Sequence, residues 1–85
     1  MPAEKADRQS VKRYRRNRSV RTATRSAISK ALDAVESGDA VEAESKVLAA
    51  ISVLDVAARK GVLRKKNVAR RKSRISARLN RLRRA

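Results

Sequence analysis

Glu36-Ser37-Gly38-Asp39-Ala40-Val41-Glu42 is the stretch whose reading decides the fold. Gly38 suits the left-handed residue that follows a helix, a conformation nearly free of steric cost without a Cβ. Asp39 offers its carboxylate to the first free N–H groups of a new helix. Glu42 stands three residues on, as in a capping box with Asp in place of Ser or Thr. One helix therefore stops and another starts within about three residues, a connection length that joins antiparallel neighbours.

Outward from that turn, punctuation is sparse: Pro2 is the only Pro, and Gly38 and Gly61 are the only Gly. Lys60-Gly61 gives the second stop, Val62-Leu63 reads as an apolar plug in the connection, and Asn67 is the candidate cap of a third helix. Apolar residues recur at three- and four-residue spacing on each side of the stops. The first stripe is Val20, Ala23, Ala27, Ala31, Ala34 and Val35, with Ile28 and Leu32 at one margin. The second is Ala40, Ala43, Val47, Ile51, Leu54 and Ala58, widened by Leu48 and Ala50. The third is Val68, Ile75, Leu79 and Leu82, with Lys72 in the slot that would complete it.

The reading is an all-α, antiparallel three-helix bundle. It occupies residues 1–85 as a single domain, with helices over about 7–36, 39–59 and 65–84 and residues 1–6 flexible. At 1.5 Å per residue the first helix would run roughly 45 Å and the second near 30 Å. The excess lies at the N-terminal end of the first helix, which should protrude, with no remaining element to cover it.

Composition narrows the function. The chain of 85 residues carries 24 Lys+Arg against 8 Asp+Glu, a formal net charge of +16, and contains no His, Cys, Trp or Phe. Thiolate and imidazole metal sites, disulfides and Cys/His catalysis are thereby excluded, and no metal or cofactor is expected. Val, Ile and Leu total 18 residues and Ala another 15, so the core must be thin. The longest apolar run, Val47 to Ile51, is far short of the roughly 20 residues that span a bilayer. No apolar leader is read in Met1 to Ser10, and a cytoplasmic polycation is expected.

The charge is uneven along the chain. Residues 1–30 hold ten bases and two acids (+8), residues 31–58 one base and six acids (−5), and residues 59–85 thirteen bases and no acid (+13). The first basic cluster is Lys12-Arg13-Tyr14-Arg15-Arg16-Asn17-Arg18, continuing to Arg21, Arg25 and Lys30. The second is Arg64-Lys65-Lys66-Asn67, then Arg70-Arg71-Lys72-Ser73-Arg74, Arg78, Arg81, Arg83 and Arg84. Solvated faces usually mix signs, whereas residues 59–85 do not, which points to a polyanionic partner. Arg outnumbers Lys by 16 to 8, and guanidinium forks match phosphate oxygens in pairs.

Single-strand readers stack bases on several rings, and this chain has only Tyr14, which serves either as a stacking platform or as cover for a neighbouring stem. Recognition should rest on phosphate, ribose and the shape of a folded nucleic acid. Asn17, Ser19, Thr22, Thr24, Ser26, Asn67 and Ser73 add neutral hydrogen-bonding groups. A membrane surface is disfavoured because the third helix sets only four large aliphatics opposite its basic face, and these are needed to cover the second. No nucleophile–base pair is present, so neither catalysis nor a small-molecule substrate is expected. Asp33, Glu36, Asp39, Glu42, Glu44 and Asp55 read as cap, dipole and solvation groups, and the acidic middle helix as facing away from the partner.

The stretch from Lys60-Gly61-Val62-Leu63 through Ala69-Arg70-Arg71-Lys72-Ser73-Arg74-Ile75 to Leu79-Asn80-Arg81-Leu82 resembles ribosomal protein twenty of the bacterial small subunit. Arg16-Asn17-Arg18, Ile28-Ser29-Lys30-Ala31 and the Gly38-Asp39 turn fall at that family's spacing, so the resemblance covers about Lys12 to Leu82. It departs at Arg64-Lys65-Lys66, where the family often has His-Lys-Asn, and in Met1 to Gln9, which lacks the family's usual Lys-Ser-Ala opening. The resemblance implies a three-helix bundle that binds small-subunit ribosomal RNA directly, takes part in ribosome assembly and bridges RNA domains. The contacts it implies are Lys12, Arg15, Arg16, Asn17, Arg21, Arg25, Lys65, Arg70, Arg71, Lys72, Ser73, Arg74 and Arg78. Arg13, Arg18, Arg64 and Lys66 join them from the basic clusters themselves. No homo-oligomer is expected. The rival reading is a nucleoid-type protein that binds DNA without sequence preference.

Overall fold

The computed structural model describes the backbone of residues 2–84 and the side chains of residues 8–84. Three helices follow one another: α1 (Pro2–Ser37), α2 (Ala40–Arg59) and α3 (Lys65–Arg84). The sequence expectation of an all-α bundle with a long first helix holds. Helix α1 starts at Pro2, ahead of the start expected near Asp7, with Pro at the first helical position, where its missing N–H leaves no bond unmade. The flexibility expected of residues 1–6 falls on side chains outside the described residues.

Both turns are built as helix stops. Gly38 has φ +85°, and its N–H donates to the Val35 carbonyl at 3.2 Å. The Ser37 hydroxyl donates to the Ala34 carbonyl at 2.7 Å, satisfying a second carbonyl at the helix end. Asp39 then caps α2, its Oδ1 accepting from the N–H groups of Val41 (3.1 Å) and Glu42 (3.2 Å). The return bond of a capping box, from Asp39 N–H to the Glu42 carboxylate, is not made among the described residues.

At the second stop Gly61 has φ +74°; its N–H donates to the Ala58 carbonyl at 3.1 Å, and the Val62 N–H donates to the Ala57 carbonyl at 3.0 Å. This pair of bonds is the Schellman closure, and Val62, buried, is the apolar residue that accompanies it. Asn67 is not the cap of α3. The Val68 N–H already donates to the Arg64 carbonyl at 3.0 Å, so the helix opens ahead of Asn67, which sits in its first turn.

The core is a single seam shared by the three helices: Ala31 and Ala34 from α1, Ala43, Val47, Ala50 and Leu54 from α2, and Val68, Ile75 and Leu79 from α3. Alanine-rich faces let α1 and α2 approach closely, and Leu54, fully buried, is the largest side chain at the centre. Two core expectations shift. Ala23 and Ala40 are exposed, while Thr24 is only 1% exposed and takes the seam position in α1. Its hydroxyl donates to the Val20 carbonyl at 2.8 Å, which satisfies a polar group that burial would otherwise penalise.

Beyond this seam α1 has no helix packed against it among the described residues. Residues 8–16 are all exposed, and the molecule measures 62 × 21 × 13 Å, its long axis set by α1.

Candidate nucleic-acid interface

Helical geometry sorts the cations into rows. On α1, Tyr14, Arg18, Arg21, Arg25, Ile28 and Leu32 follow one another at four- and three-residue spacing, so they share one flank. On α3, Asn67, Arg71, Arg74, Arg78 and Arg81 do the same. The two rows meet. Ile28 and Leu32 from α1 and Arg71, Arg74, Ile75 and Arg78 from α3 line one groove, and Val35, Leu82, Arg78 and Arg81 line its continuation. None of these arginines has a carboxylate within ion-pairing distance among the described residues.

The other flank of α3 is different. Lys72 Nζ sits 2.8 Å from Asp55 Oδ1, and Arg83 Nη2 sits 2.8 Å from Glu44 Oε1. Both pairs tie α3 to α2 and stand partly in solvent, where such pairs contribute about 0–1 kcal/mol each. The acids of α2 thus do not all face away. Asp33, Glu36, Asp39, Glu42, Glu44 and Asp55 are exposed as expected, but Glu44 and Asp55 hold α3 cations. A second recess on this side, lined by Asp55, Ala58, Arg59, Lys65, Val68, Ala69 and Lys72, mixes both signs of charge.

The sequence-predicted contacts distribute accordingly. Arg21, Arg25, Arg71, Arg74 and Arg78 belong to the facing rows. Lys12, Arg13, Arg15, Arg16 and Arg18 are exposed along the unpacked end of α1. Arg15 and Arg18 there share a shallow depression with Ser19, Thr22 and Ser26, where hydroxyls accompany the cations. Arg64, Lys65 and Lys66 surround the start of α3, and Arg70 and Ser73 point to its outer side, all exposed. Lys72 is brought to Asp55 rather than to the groove. Thr24 is withdrawn from the neutral set, because burial and the Val20 carbonyl occupy it. The amide oxygens of Asn17 and Asn67 are buried and have no hydrogen-bond partner among the described residues.

Sequence reasoning does not find Arg81 as a site residue, nor the groove floor of Ile28, Leu32 and Ile75, which it reads only as core or core margin. The regular spacing of Arg71, Arg74, Arg78 and Arg81 was the available signal. No group of His, Cys, Asp or Glu that could hold a metal ion occurs among the described residues, and no described helix is long and apolar enough to cross a membrane.

These features define an all-helical scaffold whose positive charge is concentrated on α1 and α3, with no acid on α3, and whose α2 supplies the carboxylates that pair with α3. The family model for ribosomal protein S20 matches residues 2–80, and the chain belongs to that family. The family is one of small-subunit ribosomal proteins, structural rather than catalytic. A search of curated proteins returned no match to this chain.

Proposed function

We propose that this protein binds small-subunit ribosomal RNA directly and stabilises the packing of RNA segments by neutralising converging phosphates. The observation that carries this reading is the row of α3 arginines, Arg71, Arg74, Arg78 and Arg81, along a groove against α1 whose lining has no carboxylate. Phosphates brought together by tertiary folding repel one another. A cation placed between them removes that repulsion and releases condensed counterions.

Arg71, Arg74 and Arg78 act along the groove, and Arg21 and Arg25 act on the same flank of α1 ahead of it. Lys12, Arg13, Arg15, Arg16, Asn17 and Arg18 extend the same chemistry along an arm that reaches beyond the bundle and engages a second RNA segment. Arg64, Lys65, Lys66, Arg70 and Ser73 serve RNA on the outer side and at the start of α3. Lys72 takes part only by leaving Asp55, so its contribution is the smallest of the set. The protein acts as a monomer within the assembling subunit, in the cytoplasm, and carries out no chemical step.

A competition assay at fixed salt tests the reading. Small-subunit ribosomal RNA should displace random duplex DNA from the protein, and not the reverse. Equal affinity for the two would replace this function with non-specific, nucleoid-type DNA binding.

A further inference from the structure

Resting on the RNA-binding reading above, we propose that the groove between α1 and α3 is a receptor for one unstacked nucleobase of the RNA, from a bulge or internal loop. The groove is open to solvent, offers about 230 Å³ and is floored by three aliphatic side chains, Ile28, Leu32 and Ile75. Ile75 is buried, while Ile28 and Leu32 are partly buried and leave some apolar surface in the groove. Water in this space finds no hydrogen bond on its aliphatic floor. An apolar occupant that displaces it gains free energy.

The rim decides which occupant fits. Arg71, Arg74 and Arg78 stand at successive turns of α3, the first and last about 10 Å apart along the axis. No carboxylate pairs with any of them among the described residues. The occupant must combine a flat apolar body with negative charge on either side, and a nucleotide with its two flanking phosphates has that form. A guanidinium plane stacks on a base face and its fork binds phosphate oxygens, so one kind of rim residue serves both needs. Aliphatic and guanidinium surfaces here stand in for the rings that single-strand readers use. A fully paired duplex cannot fill the recess, because its bases stay stacked.

The protein supplies an unusually clean reporter. Its only aromatic side chain is Tyr14, and the sequence has no His, Trp or Phe. Tyr14 lies about 20 Å along α1 from Ile28, too far to impose a ring-current shift there. Ile and Leu methyl resonances of the full chain, recorded free and bound to small-subunit ribosomal RNA, therefore read base insertion directly. We expect upfield shifts at Ile28, Leu32 and Ile75, and none at Leu48, which stands exposed on α2. Tight RNA binding with no upfield shift at those three residues would overturn the recess and leave phosphate neutralisation intact. Failure of the RNA to bind in preference to duplex DNA would overturn both.

Discussion

The two flanks of α3 carry similar numbers of cations and behave differently. Toward α2, Lys72 and Arg83 are held by Asp55 and Glu44, each at 2.8 Å. Toward α1, Arg71, Arg74 and Arg78 surround an apolar groove with no acid to hold them. The same helix, with the same residue types, is electrically closed on one side and open on the other. Charge per residue therefore does not say which flank of α3 is left unpaired; the neighbouring helix does. The acidic middle helix pairs with one flank and leaves the other without a carboxylate among the described residues.

The comparison depends on both flanks being presented by one packed seam, and Leu54→Ala breaks it most severely. Leu54 is fully buried between the helices, and its truncation should cost about 2–5 kcal/mol in urea or thermal unfolding. In a core this thin that loss unfolds much of the population. Wild-type stability in this variant would contradict the packing that sets both flanks.

Smaller effects come from the turns. Gly61→Ala places a Cβ at φ +74°, where no neighbouring atom lies within 4 Å, so the cost is conformational only, about 1–2 kcal/mol. That turn aligns α3 on α2, and a neutral result would mean the α2–α3 register does not depend on it. Asp39→Ala removes the cap of α2 and should cost about 0.5–2 kcal/mol, read by the same unfolding curves.

Asp55→Asn sharpens the comparison at little cost in stability, within about 1 kcal/mol, because the pair it breaks is partly solvated. It releases Lys72, and the salt slope of RNA binding should steepen by up to about one unit. Lys72→Ala should then abolish the gain in the Asp55→Asn background while changing the slope little in the wild type. Equal effects of Lys72→Ala in the two backgrounds would mean that Asp55 does not hold Lys72 back.

Much of this was legible in the sequence, for local reasons. Gly38-Asp39 and Lys60-Gly61 encode their turns in adjacent residues, and the apolar spacing between them names most of the seam. What was not legible depends on how the helices meet. Thr24 reads as a surface hydroxyl until its bond to Val20 shows how a polar side chain can be buried. Asn67 looks like a cap because Asn favours that place, yet the first bond of α3 closes on Arg64. The Lys72–Asp55 pair joins residues 17 apart, and nothing in either local stretch predicts the register that unites them. The groove was hidden for the same reason, since its floor and rim come from different helices.

The most direct test is the salt dependence of binding to small-subunit ribosomal RNA for two variants of unchanged helicity. Replacing Arg71, Arg74 and Arg78 together by Ala should lower the slope by up to about three units, one per lost phosphate contact. Replacing Lys72 and Arg83 together should lower it by less than about one. Slopes that fall in proportion to the number of charges removed, irrespective of flank, would contradict the division of α3 into a closed and an open side.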